Sequence, residues 1–242
     1  MEKTDRTHLV LARPDRGNAL SAEMVEDLTN AIDQALERDI RLIVIEGLGK
    51  HFCTGFDLSS LEAESDASLL LRFVNVEKLL QKIHACPVVT VAIAKGRCFG
   101  AGADLFASCD HRIAVAGSTF SFPGAQFGIV LGSGRLSDRV GRDRARQFIL
   151  TSATISDRDA FEHSLATALV EEEEIDAMLH VISKKLSRFT STTMQAIHSA
   201  TNLADYDGDL AALVRSASVP GLKDRIIAYR GKVLTTSRER KP

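Results

Sequence analysis

Two glycine-containing loops carry the residues that could do chemistry. Residues 51–58 follow a short apolar run at 40–45, and residues 96–105 follow a second one at 88–94. Such runs are typical of buried strands, and α/β sheets bind ligands at the carboxyl ends of their strands. The second loop also opens a helix, whose first N–H groups have no intrahelical acceptor. One N–H group from each loop, brought together, would bind a developing oxyanion.

Other common motifs do not fit. Gly100 and Gly102 begin a dinucleotide-binding fingerprint, but Leu105 stands where the third glycine is needed. Residues 47–50 have the wrong glycine spacing for a phosphate-binding loop. Ser133 lacks the glycine two places earlier that a nucleophile elbow requires. Either glycine loop taken alone is typical of an ordinary turn. A function is therefore indicated only when the two loops are considered together.

Alternating strands and helices are predicted to position the two loops. Strands are predicted at 7–12, 40–45, 88–94, 111–116 and 118–122. Helices are predicted from Ser21 onward, along the apolar stripe from Leu69 to Ile83, and at 142–151, 156–163, 171–186, 190–203, 208–216 and 222–229. Strands separated by helices favour right-handed βαβ units. The sequence therefore predicts an α/β core followed by a helical C-terminal region.

Composition and charge exclude several classes of protein. The chain is 45% hydrophobic and 26% charged, which is ordinary for a globular domain. Its net charge of −2 gives no field that would attract nucleic acid or an anionic membrane. The longest apolar stretch, at 86–94, is too short to span a bilayer. The cysteines show no metal-ligand spacing and predict reduced thiols in a cytoplasmic protein without a metal site. They are Cys53, Cys86, Cys98 and Cys109.

Six short segments follow one another in a specific order and spacing. They are residues 13–20, 52–58, 87–104, 109–114, 127–129 and 134–136. Each is weakly specific alone, but together they resemble the enoyl-CoA hydratase/isomerase (crotonase) superfamily over about residues 8–170.

The resemblance implies a fold and a ligand. The fold would be a crotonase-like spiral of ββα units over residues 1–190, which places both glycine loops in one cleft. Residues 191–242 would form a helical region for oligomerisation or for covering that cleft. The resemblance also implies an acyl-coenzyme A thioester as ligand, a role in fatty-acid metabolism and a homotrimer or hexamer. No cofactor is expected, because coenzyme A is part of the substrate.

The resemblance also assigns roles to positions. The backbone N–H groups of Phe56 and Ala101 would form an oxyanion hole for the thioester carbonyl. Asp57 is expected to brace its loop, and Arg13 and Arg16 either reach the nucleotide phosphates or belong to a solvated loop. The substrate-binding residues implied are Cys53, Thr54, Gly55, Phe56, Asp57, Leu58, Gly100, Ala101 and Gly124.

The sequence departs from the family pattern at both expected acids. Asp104 replaces the usual glutamate at the end of the second loop and is one methylene shorter. Gly124 stands immediately after Pro123, where the second glutamate of the family would fall. Glycine has no side-chain proton to give, and the amide of Gln126 is not an acid or base near neutral pH. Burial would raise the pKa of Asp104 and the helix dipole would lower it, so the sequence leaves that sign open.

Three hypotheses about function follow. The first is a crotonase-type enzyme of the hydratase/isomerase kind, which stabilises a thioester enolate and uses Asp104 as its acid/base. The second is a non-catalytic acyl-CoA-binding or subunit protein, which the loss of a carboxylate at Gly124 favours. The third is a thioester hydrolase or decarboxylase that relies on the oxyanion hole and local polar groups.

Overall fold

The structure is a computed structural model that describes residues 6–38 and 40–239. Within these residues the chain forms eight strands and ten α-helices. The strands are β1 (Arg6–Leu11), β2 (Leu42–Gly47), β3 (Val89–Ala94), β4 (Arg97–Phe99), β5 (His111–Val115), β6 (Thr119–Ser121), β7 (Ile155–Ser156) and β8 (Ala168–Val170). The helices are α1 (Ala22–Leu36), α2 (Asp66–His84), α3 (Ala101–Ser108), α4 (Ser133–Val140), α5 (Arg142–Thr151), α6 (Asp157–Glu162), α7 (Ile175–Leu186), α8 (Ser191–Thr201), α9 (Tyr206–Ala217) and α10 (Leu222–Glu239).

The main sheet has five parallel strands in the order β1-β2-β3-β5-β8. Val44 of β2 lies opposite Val91 of β3, and both are fully buried. Burial on both faces explains the continuous apolar runs of these strands, because each face of the sheet is covered. α7 covers one face through Leu179 and Ile182, and the larger core lies on the other. The predicted α/β core with a parallel sheet is confirmed.

A second, smaller sheet lies beside the glycine loops. β4 pairs in parallel with β6, and β6 pairs antiparallel with β7. Residues 97–99 were predicted as part of a glycine-containing loop, and that prediction was wrong because they form β4. β4 spans only three residues between Gly96 and Gly100, and both glycines have positive φ. The strand is therefore too short for its sequence to be distinguished from the turns on either side.

The helical C-terminal region folds back onto its own core. α9 packs against α2, and α10 packs against both α2 and the 3-10 segment Pro123–Phe127. The start of α10 is fixed by Asp66, whose carboxylate accepts hydrogen bonds from the backbone N–H groups of Gly221, Leu222 and Lys223. The predicted boundary at residue 190 falls between α7 and α8, and the role of the region in oligomerisation stays a prediction.

Candidate active site

The first glycine loop is held by backbone hydrogen bonds on both of its sides. The Gly55 carbonyl accepts from Leu20 N–H at 2.8 Å, and the Cys53 carbonyl accepts from Phe99 N–H at 2.9 Å. The loop therefore bridges the N-terminal segment and β4, which leads directly into the second glycine loop. Its path does not depend on solvent-exposed side chains.

Glycines allow the two loops to approach closely. A Cβ atom at Gly102 would lie 2.5 Å from the Cys53 carbonyl oxygen, and one at Gly55 would lie 2.9 Å from the Phe99 carbonyl oxygen. Gly55 also has a φ of +105°, which side chains rarely allow. The same Cβ at Gly55 would lie 3.6 Å from the Ala101 nitrogen, so the two loops are in direct contact at this point.

The backbone N–H groups of Phe56 and Ala101 lie at this contact, and neither donates to a backbone carbonyl of the described residues. Ala101 is the first residue of α3, and Gly100 precedes it with a φ of 53°. In the first loop, Leu20 N–H donates to the Gly55 carbonyl, and the Leu20 carbonyl accepts from Asp57 N–H. The N–H of Phe56 lies between these two hydrogen bonds and takes part in neither. Within residues 6–38 and 40–239, no backbone hydrogen bond from Phe56 N–H or Ala101 N–H is found. The role of these two N–H groups as an oxyanion hole stays a prediction.

A cavity of about 110 Å³ opens beside these N–H groups. Of the residues that the sequence predicted for the site, it is lined by Thr54, Gly55, Phe56, Leu58, Gly100, Ala101, Asp104 and Gly124. The lining also includes Phe73, Phe122, Pro123, Ala125, Phe127, Ile129, Leu131, Ser133, Ile149 and Tyr229. The structure thus brings both glycine loops, the predicted acid and the position of the missing acid into one cavity.

Asp104 is the ionisable acid of this lining. The residue is 6% exposed, and no described residue donates a hydrogen bond to its carboxyl group. Burial raises the pKa of Asp104 well above its usual range, and the positive charge of Arg135 only partly opposes this while Glu77 adds to it. Desolvation therefore decides the direction that the sequence left open, and the pKa of Asp104 is shifted upward.

Gly124 lies in the 3-10 segment Pro123–Phe127 with open space beside it. A Cβ atom built there would be 3.6 Å from the Ile129 carbonyl oxygen, which is an ordinary contact. Its φ lies outside the left-handed region, so a side chain would not strain the backbone. The glycine is thus not required by the fold, unlike Gly55 and Gly102.

Two predicted substrate-binding residues do not line the cavity. Cys53 is fully buried, and burial raises the pKa of its thiol to about 12. Asp57 forms an ion pair with Arg13 at 2.7 Å, and its carboxylate accepts a hydrogen bond from the Ser59 N–H group at 2.9 Å. Partial burial raises the pKa of Asp57, but these bonds outweigh it and leave the pKa below its usual value. Contact of either residue with substrate stays a prediction, and Arg16 lies exposed.

Aromatic rings form one side of the cavity. Phe56 stacks on Phe73 with ring centroids 4.1 Å apart, and Phe127 lies 5.0 Å from Tyr229 of α10. Tyr229 belongs to the lining because α10 folds back, and nothing in the local sequence shows this. Phe120 is buried in the core against Phe106.

No metal site accompanies this cavity in the described part of the chain. Residues 6–38 and 40–239 hold no group of three or more His, Cys, Asp or Glu side chains that could ligate an ion. The same residues include no helix that is both long and apolar enough to cross a membrane.

Solved structures share this architecture. A putative enoyl-CoA hydratase/isomerase from Bordetella parapertussis superposes with a TM-score of 0.92 at 36% identity, over 95% of this chain and 96% of that one. An enoyl-CoA hydratase from Bacillus halodurans superposes with a TM-score of 0.82 at 22% identity, over 93% and 96% of the two chains, which shows the fold alone. The predicted crotonase-like fold is therefore confirmed.

Sequence comparison leads to the same group of proteins. The chain is 31% identical over 182 residues to enoyl-CoA hydratase domain-containing protein 3, mitochondrial, of Danio rerio. It is 34% identical over 162 residues to a probable enoyl-CoA hydratase of Mycobacterium tuberculosis. These matches cover 74% and 66% of this chain but only 63% and 65% of the relatives. The profile of the enoyl-CoA hydratase/isomerase family matches residues 7–215, and the chain belongs to that family.

Proposed function

We propose that the protein binds an acyl-coenzyme A thioester and stabilises the enolate formed at its carbonyl, with Asp104 moving the proton. The observation that carries the proposal is the pair of unbonded N–H groups of Phe56 and Ala101 beside a cavity that contains Asp104. Backbone donors fixed in this way stabilise an oxyanion without reorganising during the reaction. The named relatives, which are enoyl-CoA hydratases, support the same ligand.

Asp104 would carry the proton in two steps. In its ionised form it would take a proton from the α-carbon, which gives the enolate and the protonated acid, and it would then return that proton to the γ-carbon. Its raised pKa makes the carboxylate a stronger base for the first step. One carboxyl group suffices to move a proton between two carbons on one face of an enolate. Hydration needs a second group to activate water, and Gly124 offers none. Double-bond isomerisation therefore suits the site better than rapid hydration.

A non-catalytic acyl-CoA-binding protein is the second candidate function. The observation that favours it is Gly124, which lines the cavity and leaves Asp104 as its single carboxylic acid. A decarboxylase receives less support, because the described lining contains no lysine, arginine or histidine to hold a substrate carboxylate.

Proton exchange at the α-carbon separates the first two candidates. An acyl-CoA thioester incubated with the protein in D₂O should gain deuterium at that carbon, measured by mass spectrometry. Asp104→Asn should slow this exchange by about 100-fold or more, because it removes the proton carrier and keeps a similar shape. Turnover of a 3-enoyl-CoA, followed by absorbance, should fall in parallel.

The outcomes of that experiment are distinct. Binding of thioesters without exchange in the wild-type protein would contradict the enzyme and leave the binding protein. Exchange that survives in Asp104→Asn would contradict the role of Asp104. Failure to bind any coenzyme A thioester would contradict the proposed site as a whole.

The remaining inferences about the protein stay proposals. We propose assembly as a homotrimer or hexamer, action without a separate cofactor, a cytoplasmic location and a role in fatty-acid metabolism. Support for the reduced compartment comes from the four cysteines, which are all free and buried. Sedimentation of the purified chain would test the assembly.

A further inference from the structure

A buried ion network lies behind the cavity. Arg135 of α4 pairs with Glu77 of α2 through two hydrogen bonds, of 2.9 and 2.6 Å, and both side chains are almost fully buried. The same guanidinium reaches Asp209 of α9 at 3.2 Å. Gln81 donates a further hydrogen bond to Glu77 at 2.8 Å. One arginine thus joins three helices, and two carboxylates surround a single guanidinium.

The first turn of α4 places this network next to the acid. Gly132, which precedes α4, lies so close to Asp104 that a Cβ atom there would be 2.5 Å from its Oδ1 atom. A Cβ at Gly134 would be 2.5 Å from Oδ1 of Asp209. Gly132 is the residue before the helix, and Arg135 lies in its first turn. The start of α4 therefore contacts Asp104 on one side and Asp209 on the other.

The charges around Asp104 come from few elements. Arg135 on α4 and Glu77 on α2 act on its carboxyl group directly, and the Cys98 thiol of β4 also lies nearby. Arg135, Glu77, Asp138 and Asp205 act in turn on Asp209. A negative charge behind a buried carboxyl group disfavours its ionisation.

We propose that Arg135 and Asp209 are positioning residues for Asp104, because with Glu77 they hold the start of α4 against its carboxyl group. Arg135 alone would favour the ionised form of Asp104. Asp209 offsets this positive charge, and it does so only while α9 is packed in place. The inference rests on the proposed function, since it concerns the acid of the same site.

This arrangement couples the C-terminal helices to the acid. α9 contributes Asp209, and α10, which follows it, contributes Tyr229 to the cavity lining. The helices that complete the cavity therefore also complete the charge balance behind Asp104. With α9 displaced, Asp209 would no longer offset the charge of Arg135, and the pKa of Asp104 would be lower.

Titration of Asp104 tests the inference without requiring turnover. The protein would be labelled with aspartate carrying ¹³C in its carboxyl group, and the Asp104 resonance identified by its loss in Asp104→Asn. Asp209→Asn should lower the midpoint of this titration by roughly one pH unit, because a nearby negative charge is removed and Arg135 is less neutralised. Asp209 is partly exposed, so the substitution should leave the chain folded.

Three further variants sharpen the test. Asp209→Glu should restore the wild-type midpoint, since it keeps the carboxylate. Gly134→Ala should lower the midpoint in the same direction, because its methyl group displaces the Asp209 carboxylate. Asp207→Asn is the matched control on the same helix: Asp207 is exposed in the first turn of α9, and the loss of its charge should leave the midpoint unchanged.

The results bear on the two proposals separately. A folded Asp209→Asn protein with the wild-type midpoint would overturn this inference, as would an equal shift in Asp207→Asn. Normal α-proton exchange in that protein would leave the proposed function intact. Conversely, the predicted shift without any exchange in the wild type would confirm the charge coupling and contradict the proposed enzyme.

Discussion

The two walls of the cavity are held in place by different means. The backbone wall consists of residues 52–56 and 97–104, and main-chain hydrogen bonds and glycine contacts hold it. The side-chain wall consists of residues 122–131 and the part of α10 that faces them. There Arg225 donates to the Phe127 carbonyl at 3.0 Å, and Ser216 accepts a hydrogen bond from Val130 N–H at 3.0 Å.

The difference shows which parts of the site are free to change. The backbone wall uses N–H groups, so Ala101 can serve as well as glycine, but the close contacts at Gly102 admit no side chain. In the side-chain wall, Gly124 has room for one. The backbone wall, to which the proposal assigns the oxyanion, is therefore fixed by packing. The side-chain wall, which would complete the proton chemistry, can be altered by single substitutions.

The largest expected effect lies in the backbone wall. Gly102→Ala would put a methyl group against the Cys53 carbonyl, which is backbone and cannot move aside cheaply. We expect the free energy of unfolding to fall by about 3 kcal/mol. Because Ala101 N–H would shift with it, α-proton exchange should fall by about 100-fold. Chemical denaturation and the exchange assay measure the two effects.

A second glycine provides the control. Gly231 lies in α10 with nothing within 4 Å of a built Cβ atom. Gly231→Ala should raise the free energy of unfolding by about 0.5–1 kcal/mol, because alanine favours the helix. Similar behaviour of the two variants would contradict the view that close packing fixes the backbone wall.

An intermediate effect is expected from restoring the missing acid. Gly124→Glu would place a second carboxyl group in the cavity beside Asp104. Hydration of crotonyl-CoA, followed by absorbance, should rise by about tenfold, less than full acid–base catalysis provides, because no neighbour orients the new group. Gly124→Gln has the same size without the acid and should give no gain. Equal rates in the two variants would mean that the side-chain wall does not control the proton chemistry.

The smallest effect should come from loosening the side-chain wall. Arg225→Met removes the hydrogen bonds to the carbonyl groups of Phe127, Val219 and Ser216. The free energy of unfolding should fall by about 1–2 kcal/mol, and KM should rise more than kcat falls. Arg230→Met, which removes an exposed pair with Glu62, should change stability by less than about 0.5 kcal/mol. A larger loss of unfolding free energy in Arg230→Met than in Arg225→Met would contradict the view that Arg225 holds the side-chain wall.

Much of the fold could be predicted because local patterns determine it. The predicted helix at 142–151 has the observed bounds of α5, and Ser21 caps α1 by accepting from Met24 N–H. α4 was missed, since it has only two buried residues and no capping side chain at Gly132. β4 was missed because its partner, β6, lies about twenty residues along the chain. Such pairing leaves no local signal.

The site was predictable to a similar degree. The glycine loops and Asp104 stand out in sequence because their spacing is short and specific. Glu77 could have been noticed as an acid within the apolar stripe of α2, beside Val76 and four residues after Phe73. Its partners could not have been noticed in this way. Arg135 lies 58 residues after Glu77, and Asp209 lies 74 residues after Arg135. Long-range charge pairing has no periodicity to detect.

The thiols under the glycine loops have a consequence for the chemistry proposed above. Cys53 and Cys98 are paired across a β-bridge, and burial raises the pKa of both well above the usual value of a thiol. Thiolates, not thiols, add to electron-poor double bonds. The proposed enoyl thioester is such an electrophile. A protonated state of the two cysteines would protect the protein from alkylation by that ligand.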